Sequence, residues 1–75
     1  METGLHTLAL SKPAVVTQIN AGTFLQNRLR DYGLIPGTQV VCRYRSPGGQ
    51  VTALAFRGTV IAMRTRDLQQ IRVRM

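Results

Sequence analysis

One histidine, one cysteine and three carboxylates are the only side chains with which this 75-residue chain could do acid–base, nucleophilic or metal chemistry. The carboxylates are Glu2, Asp31 and Asp67; Asp31 reads as lying at a helix end and Asp67 in a capping position, so no pair dividing general acid and base roles is read. His6 lies near the N-terminus and Cys42 in the middle of an apolar alternation. Together they offer a metal two ligands where a structural zinc site wants four. As a nucleophile and base they lack the third group that orients the base. Ser46-Pro47-Gly48-Gly49 has glycines but no following Lys-Ser/Thr or helix, so it is not a phosphate-cradling P-loop. Catalysis is therefore not expected, no cofactor or metal ligand set is assigned, and Cys42 is expected to be a buried, inert thiol.

The remaining chemistry is cationic. Ten basic residues, nine of them arginine, stand against three acidic ones for a net charge of +7. A body this small and this basic draws anionic partners: nucleic acid, an anionic membrane surface or an acidic protein. Arg43, Arg45, Arg72 and Arg74 fall at positions read as outward on strands and are the expected partner-binding residues. A lone cysteine allows no internal disulfide, which fits a reducing compartment. No apolar run nears the ~20 residues that span a bilayer, and no signal-peptide pattern opens the chain. A cytoplasmic protein without direct membrane insertion is expected.

These groups must be positioned by one domain spanning residues 1–75, which at this length buries only roughly 60% of its unfolded surface. The most informative stretch is Thr23–Gly37. Thr23 and Gln26 have capping-box spacing, and Leu25, Leu29 and Tyr32 share one helical stripe. Gly33 supplies a left-handed helix stop, with Leu34 placed to fold back on Leu29. Pro36-Gly37 then makes a tight turn. So short a helix is unstable alone, so Leu25, Leu29 and Leu34 must dock it. Leu29 and Leu34 are expected against Val40 and Ile61.

The rest reads as strands. Residues 1–12 form an N-terminal arm carrying Leu5, Leu8 and Leu10. Val15–Ile19 is a first strand. Thr38–Arg45 alternates, with Val40, Cys42 and Tyr44 on one side and Gln39, Val41, Arg43 and Arg45 on the other. After the Ser46–Gly49 turn, Gln50–Arg57 returns with apolar residues on both faces, as a central strand would. Arg57-Gly58 connects tightly to Thr59–Arg64, where Ile61 and Met63 face the core. Thr65–Gln70 is one helical turn capped by Thr65, and Ile71–Met75 is a last strand. The pattern predicts a mainly β fold, a small SH3-like barrel of about five strands. A helical excursion lies between the first and second strands and a helical turn before the last. Closure would hide the sheet edges.

Arg28-Leu29-x-x-Tyr32-Gly33-Leu34-x-Pro36-Gly37-Thr38, a later Pro-Gly turn, Gly58-x-x-Ile61-Ala62-Met63-Arg64 and Ile71-x-Val73 resemble the FeoA family. These are small accessory proteins of bacterial ferrous-iron uptake. The same domain resembles the C-terminal domain of DtxR-type iron-dependent repressors. The likeness covers roughly residues 8–75. It implies an SH3-like barrel, no enzymatic activity, no fixed metal-ligand signature and a role in protein–protein contact. The implied partner is the cytosolic GTPase portion of the FeoB membrane iron transporter. Met63 stands where the family has leucine, a volume-conserving change. Leu68 replaces a small alanine and would hold the last turn slightly farther from the barrel.

The competing expectation is a nucleic-acid-binding SH3-like module, motivated by the arginines. Against it stands a shortage of stacking surfaces, because Phe24, Tyr32, Tyr44 and Phe56 are mostly expected in core roles. A polyproline adaptor needs an aromatic-lined groove, which a chain without tryptophan does not supply.

Overall fold

The computed structural model describes residues 1–75 and builds them around one antiparallel sheet of six strands. These are β1 (Glu2–Gly4), β2 (Pro13–Ile19), β3 (Gln39–Arg45), β4 (Val51–Phe56), β5 (Thr59–Arg64) and β6 (Ile71–Arg74). The single α-helix, α1 (Thr23–Tyr32), lies between β2 and β3. A 3₁₀ turn (Leu5–Thr7) follows β1 and a longer one (Thr65–Gln70) precedes β6. The strand order is β1-β6-β2-β3-β4-β5, so β1 and β5 remain the ends of the sheet and do not pair with each other. The expected closure by strand pairing is thus not made. No helix is long and apolar enough to cross a membrane.

The sixth strand comes from the arm. Glu2, Thr3 and Gly4 pair with Arg74, Val73 and Arg72. Leu5 and Leu8 are fully buried in the core with Val16, Leu29, Leu34, Val40, Leu54, Leu68, Ile71 and Val73. Three residues are too few to show a period, which is why this strand is invisible in the sequence. Leu10, by contrast, stays exposed.

Helix α1 begins one residue earlier than its capping signal suggests. Gly22 occupies the N-cap with no side-chain cap bond. Gln26 instead sends its side-chain amide to the Ile19 carbonyl at 3.2 Å, tying the helix to the end of β2. The helix stop is as read. Gly33 sits at φ 94°. Its N–H bonds to the Arg30 carbonyl and the Leu34 N–H to the Leu29 carbonyl, both at 2.9 Å, the paired bonds of a Schellman stop. Gly33→Ala is expected to cost about 1 kcal/mol or more, because a Cβ is strained at positive φ. A thermal melt superimposable on the parent's would show that the left-handed residue is not limiting.

Immediately beyond lies Ile35-Pro36-Gly37-Thr38, with Gly37 at φ 95° and the Thr38 N–H on the Ile35 carbonyl at 3.0 Å. That is a type II turn, which needs positive φ at its third residue. Thr38 is buried; its hydroxyl donates to the Gly33 carbonyl and accepts from the Ile35 N–H, both at 3.2 Å. One side chain therefore joins the helix stop to the turn. The backbone of Gly37 and Thr38 then pairs with both polar groups of Val16.

The alternation of β3 breaks at a bulge between Cys42 and Tyr44. Val40 and Cys42 are buried as expected, but Tyr44 is turned out to 59% exposure and Arg45 turned in. A bulge inserts one residue and so reverses every side chain after it. A second bulge in β2, between Val16 and Gln18, leaves the Thr17 hydroxyl buried without a partner. The Thr65–Gln70 turn is 3₁₀ and is not capped by Thr65. The Thr65 hydroxyl is bonded to that of buried Thr52 at 2.8 Å instead. The turn is anchored by Leu68, fully buried beneath it.

Candidate functional site

Cys42 is the one buried titratable group with a shifted pKa. Burial pushes its thiol up, and the Arg45 guanidinium offsets part of that rise. Its sulfur faces the Leu5 carbonyl at 4.0 Å. No three of the His, Cys, Asp and Glu side chains come together anywhere in the fold. A raised thiol pKa favours the folded state fully below the unfolded value of about 8.5. That contribution is lost as pH rises through the higher folded value. Native protein at pH 8 is therefore expected to resist a thiol reagent that labels the unfolded chain at once. The alkaline fall in stability should be shallower in Cys42→Ala. Equal labelling of native and unfolded protein would contradict the burial.

The four arginines read as one outward set divide into three environments. Arg43, the extra residue of the β3 bulge, is exposed and makes no hydrogen bond or ion pair, and Arg74 is likewise exposed and free. Arg72 is half-buried and directs Nε to Glu2 at 3.4 Å. Arg45 is not on the solvent face. Its Nη2 donates to the carbonyls of His6 at 3.2 Å and Leu8 at 2.8 Å, clamping the N-terminal arm onto β3.

Of the motif residues, Leu29 and Leu34 are fully buried. Gly33, Pro36 and Gly37 form the helix stop and turn. Gly58 with Arg57, both at positive φ, makes the two-residue β4–β5 hairpin. Ile61 and Met63 are half-buried, packed on the core edge rather than within it. They and Leu29 line a groove of about 210 Å³ between α1 and β5, with Leu25 and Tyr32 completing its walls and Arg28 and Arg64 beside them.

A second surface with apolar residues lies on the outside of the sheet. Directly opposed residues of antiparallel strands share a face. Val41 opposes Ala55, and Ala55 opposes Val60, making an outward apolar row across β3, β4 and β5. Tyr44, Ala53 and Ala62 make a parallel row. Val60 is 64% exposed. The first row floors a shallow depression of about 370 Å³ whose rim carries Arg43 and Arg57. An apolar floor with a charged rim is the layout of a protein-binding patch. The sequence signal for it was the apolar character of β4 on both faces, which reads equally as a strand covered on both sides. Here β4 is interior to the sheet, and its outward Ala53 and Ala55 remain partly open to solvent.

The aromatic side chains also differ from expectation. Phe56 is buried, but Phe24, at 76%, and Tyr32, at 44%, are exposed along with Tyr44. Arg28 bridges the first two, with its guanidinium 5.9 Å from the Phe24 ring centre and Nη2 donating to the Tyr32 hydroxyl at 3.4 Å. Nothing in the expected helical stripe distinguished a docking position from an exposed one at Tyr32.

Residues 3–75 match the FeoA domain family. The chain is a member of that family. A search of curated proteins gives no match. The FeoA protein of Chlorobium tepidum superposes with a TM-score of 0.93 at 26% identity, over 97% of this chain and 70% of that one. Stenotrophomonas maltophilia FeoA, solved with zinc, is 27% identical with a TM-score of 0.82, covering 95% of this chain and 88% of that one. It is described as a procaryotic SH3 domain protein and a candidate ferrous-iron transport activating factor. IdeR of T. acidophilum shares the fold, with a TM-score of 0.85 at 19% identity over 99% of this chain and 34% of that one. The FeoA fold is SH3-like, and the family is implicated in ferrous-iron transport.

Proposed function

We propose that this FeoA domain is a non-enzymatic accessory module that binds the cytosolic GTPase portion of a FeoB-type membrane iron transporter. The outward face of β3, β4 and β5 is its docking surface. The observation that carries this reading is the Val41–Ala55–Val60 row with Arg43 and Arg57 at its rim. An apolar row on the solvent side of an antiparallel sheet runs against the usual polar-out alternation. The rim charges favour a partner whose own rim is acidic and speed the encounter. Ferrous-iron chemistry and nucleotide hydrolysis then belong to the partner. Arg74, exposed on β6, supplements the attraction at longer range.

The test is binding of the transporter's cytosolic fragment to the parent domain and to Val60→Asp and Arg43→Glu. Both positions are exposed, so neither change should disturb the fold. Val60→Asp is expected to weaken binding by about tenfold or more, as at a desolvated interface centre. Arg43→Glu should act mainly on the association rate and on its salt dependence. Unaltered binding by both would remove this face from the account.

A further inference from the structure

We propose that a second cleft, at the end of the sheet away from that hairpin, binds a phosphate-bearing small anion. The cleft holds about 520 Å³ and lies where the first 3₁₀ turn, the β3–β4 turn and the second 3₁₀ turn meet. Arg64, Arg66, His6, Gln50 and Thr65 line it, and no carboxylate does. Only one lining residue, Val51, is apolar. A site for an organic body is mostly apolar, so the group this cleft suits is charged.

Its cations are unspent. Arg64 has no ion pair, and Arg66 has only the 3.9 Å approach of its neighbour Asp67, with both side chains well exposed. Such a contact contributes little. Two guanidinium groups, each a rigid planar fork of donors, match the oxygens of a phosphate.

His6 is held in place by its surroundings. Its Cε1 and Nδ1 lie only 2.5 Å from where a Cβ on Gly4 would stand, so the ring occupies the space a side chain there would need. Nδ1 is buried and has no hydrogen-bond partner. In the neutral ring, with no acceptor near Nδ1, the proton belongs on Nε2, the atom 3.8 Å from the same point. That makes Nε2–H a donor with no protein acceptor assigned to it. The cleft thus combines two free cations, an imidazole donor and the Gln50 amide. No aromatic face other than the imidazole is present to stack a base, so the phosphate group is what is recognised.

Pyrophosphate at constant ionic strength is the probe, added to the intact 75-residue protein and followed by ¹H–¹⁵N NMR. Saturable shifts are expected at Gly49, Gln50, Thr65 and Arg66, while Val41, Ala55 and Val60 stay still. Arg64→Gln and Arg66→Gln should each weaken binding by about five- to tenfold. Gly4→Ala, which displaces the imidazole without changing any charge, should weaken it too. Should Gly4→Ala not fold, the two arginine variants decide alone. Vesicles rich in phosphatidylserine form a second arm. Capture that both glutamine variants lose would identify a lipid headgroup as the phosphate source, whereas pyrophosphate binding without capture points to a free ligand. Shifts that never saturate and spread equally over Arg43, Arg57 and Arg74 would overturn the proposal in favour of diffuse attraction to a cationic surface. Unchanged affinity in the Arg64→Gln, Arg66→Gln double variant would overturn it as well.

Discussion

Leu29→Ala is expected to destabilise the domain by about 2–5 kcal/mol, the range for emptying a fully buried leucine site. Leu29 is the only fully buried residue of α1. Its carbonyl is also the acceptor of the Leu34 N–H in the helix stop. A ten-residue helix has little stability of its own, so losing this anchor releases the helix and not merely a side chain. In a domain whose whole stability is of the order of 5 kcal/mol, the variant should be largely unfolded at 37 °C. Urea or thermal denaturation followed by far-UV circular dichroism measures this directly. A loss below ~1 kcal/mol would show that Leu25, packed at the edge of the core, holds the helix by itself.

The second large effect is expected at Arg45. Removing its guanidinium in Arg45→Ala abolishes two hydrogen bonds to the arm, at 2.8 and 3.2 Å. Bonds to charged groups contribute about 1.5–3 kcal/mol each before screening. The site is partly open to solvent, so a total of roughly 2–4 kcal/mol is expected. The distinctive sign is local. Hydrogen exchange should accelerate across Glu2–Leu8 and the facing part of β6 before it does in β4. Glutamine at this position can keep one of the two bonds and should fall between parent and alanine. If Arg45→Ala instead lowered partner binding while leaving arm protection intact, the arginine would belong to the docking surface after all.

Where several local signals overlap, the sequence was a good guide. Gly33, Leu34, Pro36 and Gly37 specify a helix stop and a turn through their own backbone preferences, which need no tertiary context. The same is true of the Arg57-Gly58 hairpin. What escaped notice depends on partners distant in the chain. The bulge at Arg43 is a register event between β3 and β4, and one inserted residue exchanged the roles of Tyr44 and Arg45. The strand at Glu2–Gly4 exists because β6 offers it an edge, and its three residues carry no periodic signal. Thr23 has the type and spacing of a cap, but Gly22 already starts the helix and Gln26 is drawn to Ile19. The proposed docking face was half legible: Arg43 lies in solvent as read, whereas the Val41–Ala55–Val60 row appears only once three strands are in register.

The exposed positions of Phe24, Tyr32 and Tyr44 remove one argument against nucleic acid, since stacking surfaces are present after all. Salt dependence does not separate the two partners, because both would bind less tightly as salt rises. Competition does. The domain is immobilised, the cytosolic fragment of the transporter is bound at near-physiological salt, and excess RNA or duplex DNA is added. The account predicts that the fragment is retained with little displacement, and that Val60→Asp weakens the retention by about tenfold or more. Submicromolar binding of nucleic acid at that salt, with no measurable binding of the transporter fragment, would contradict it.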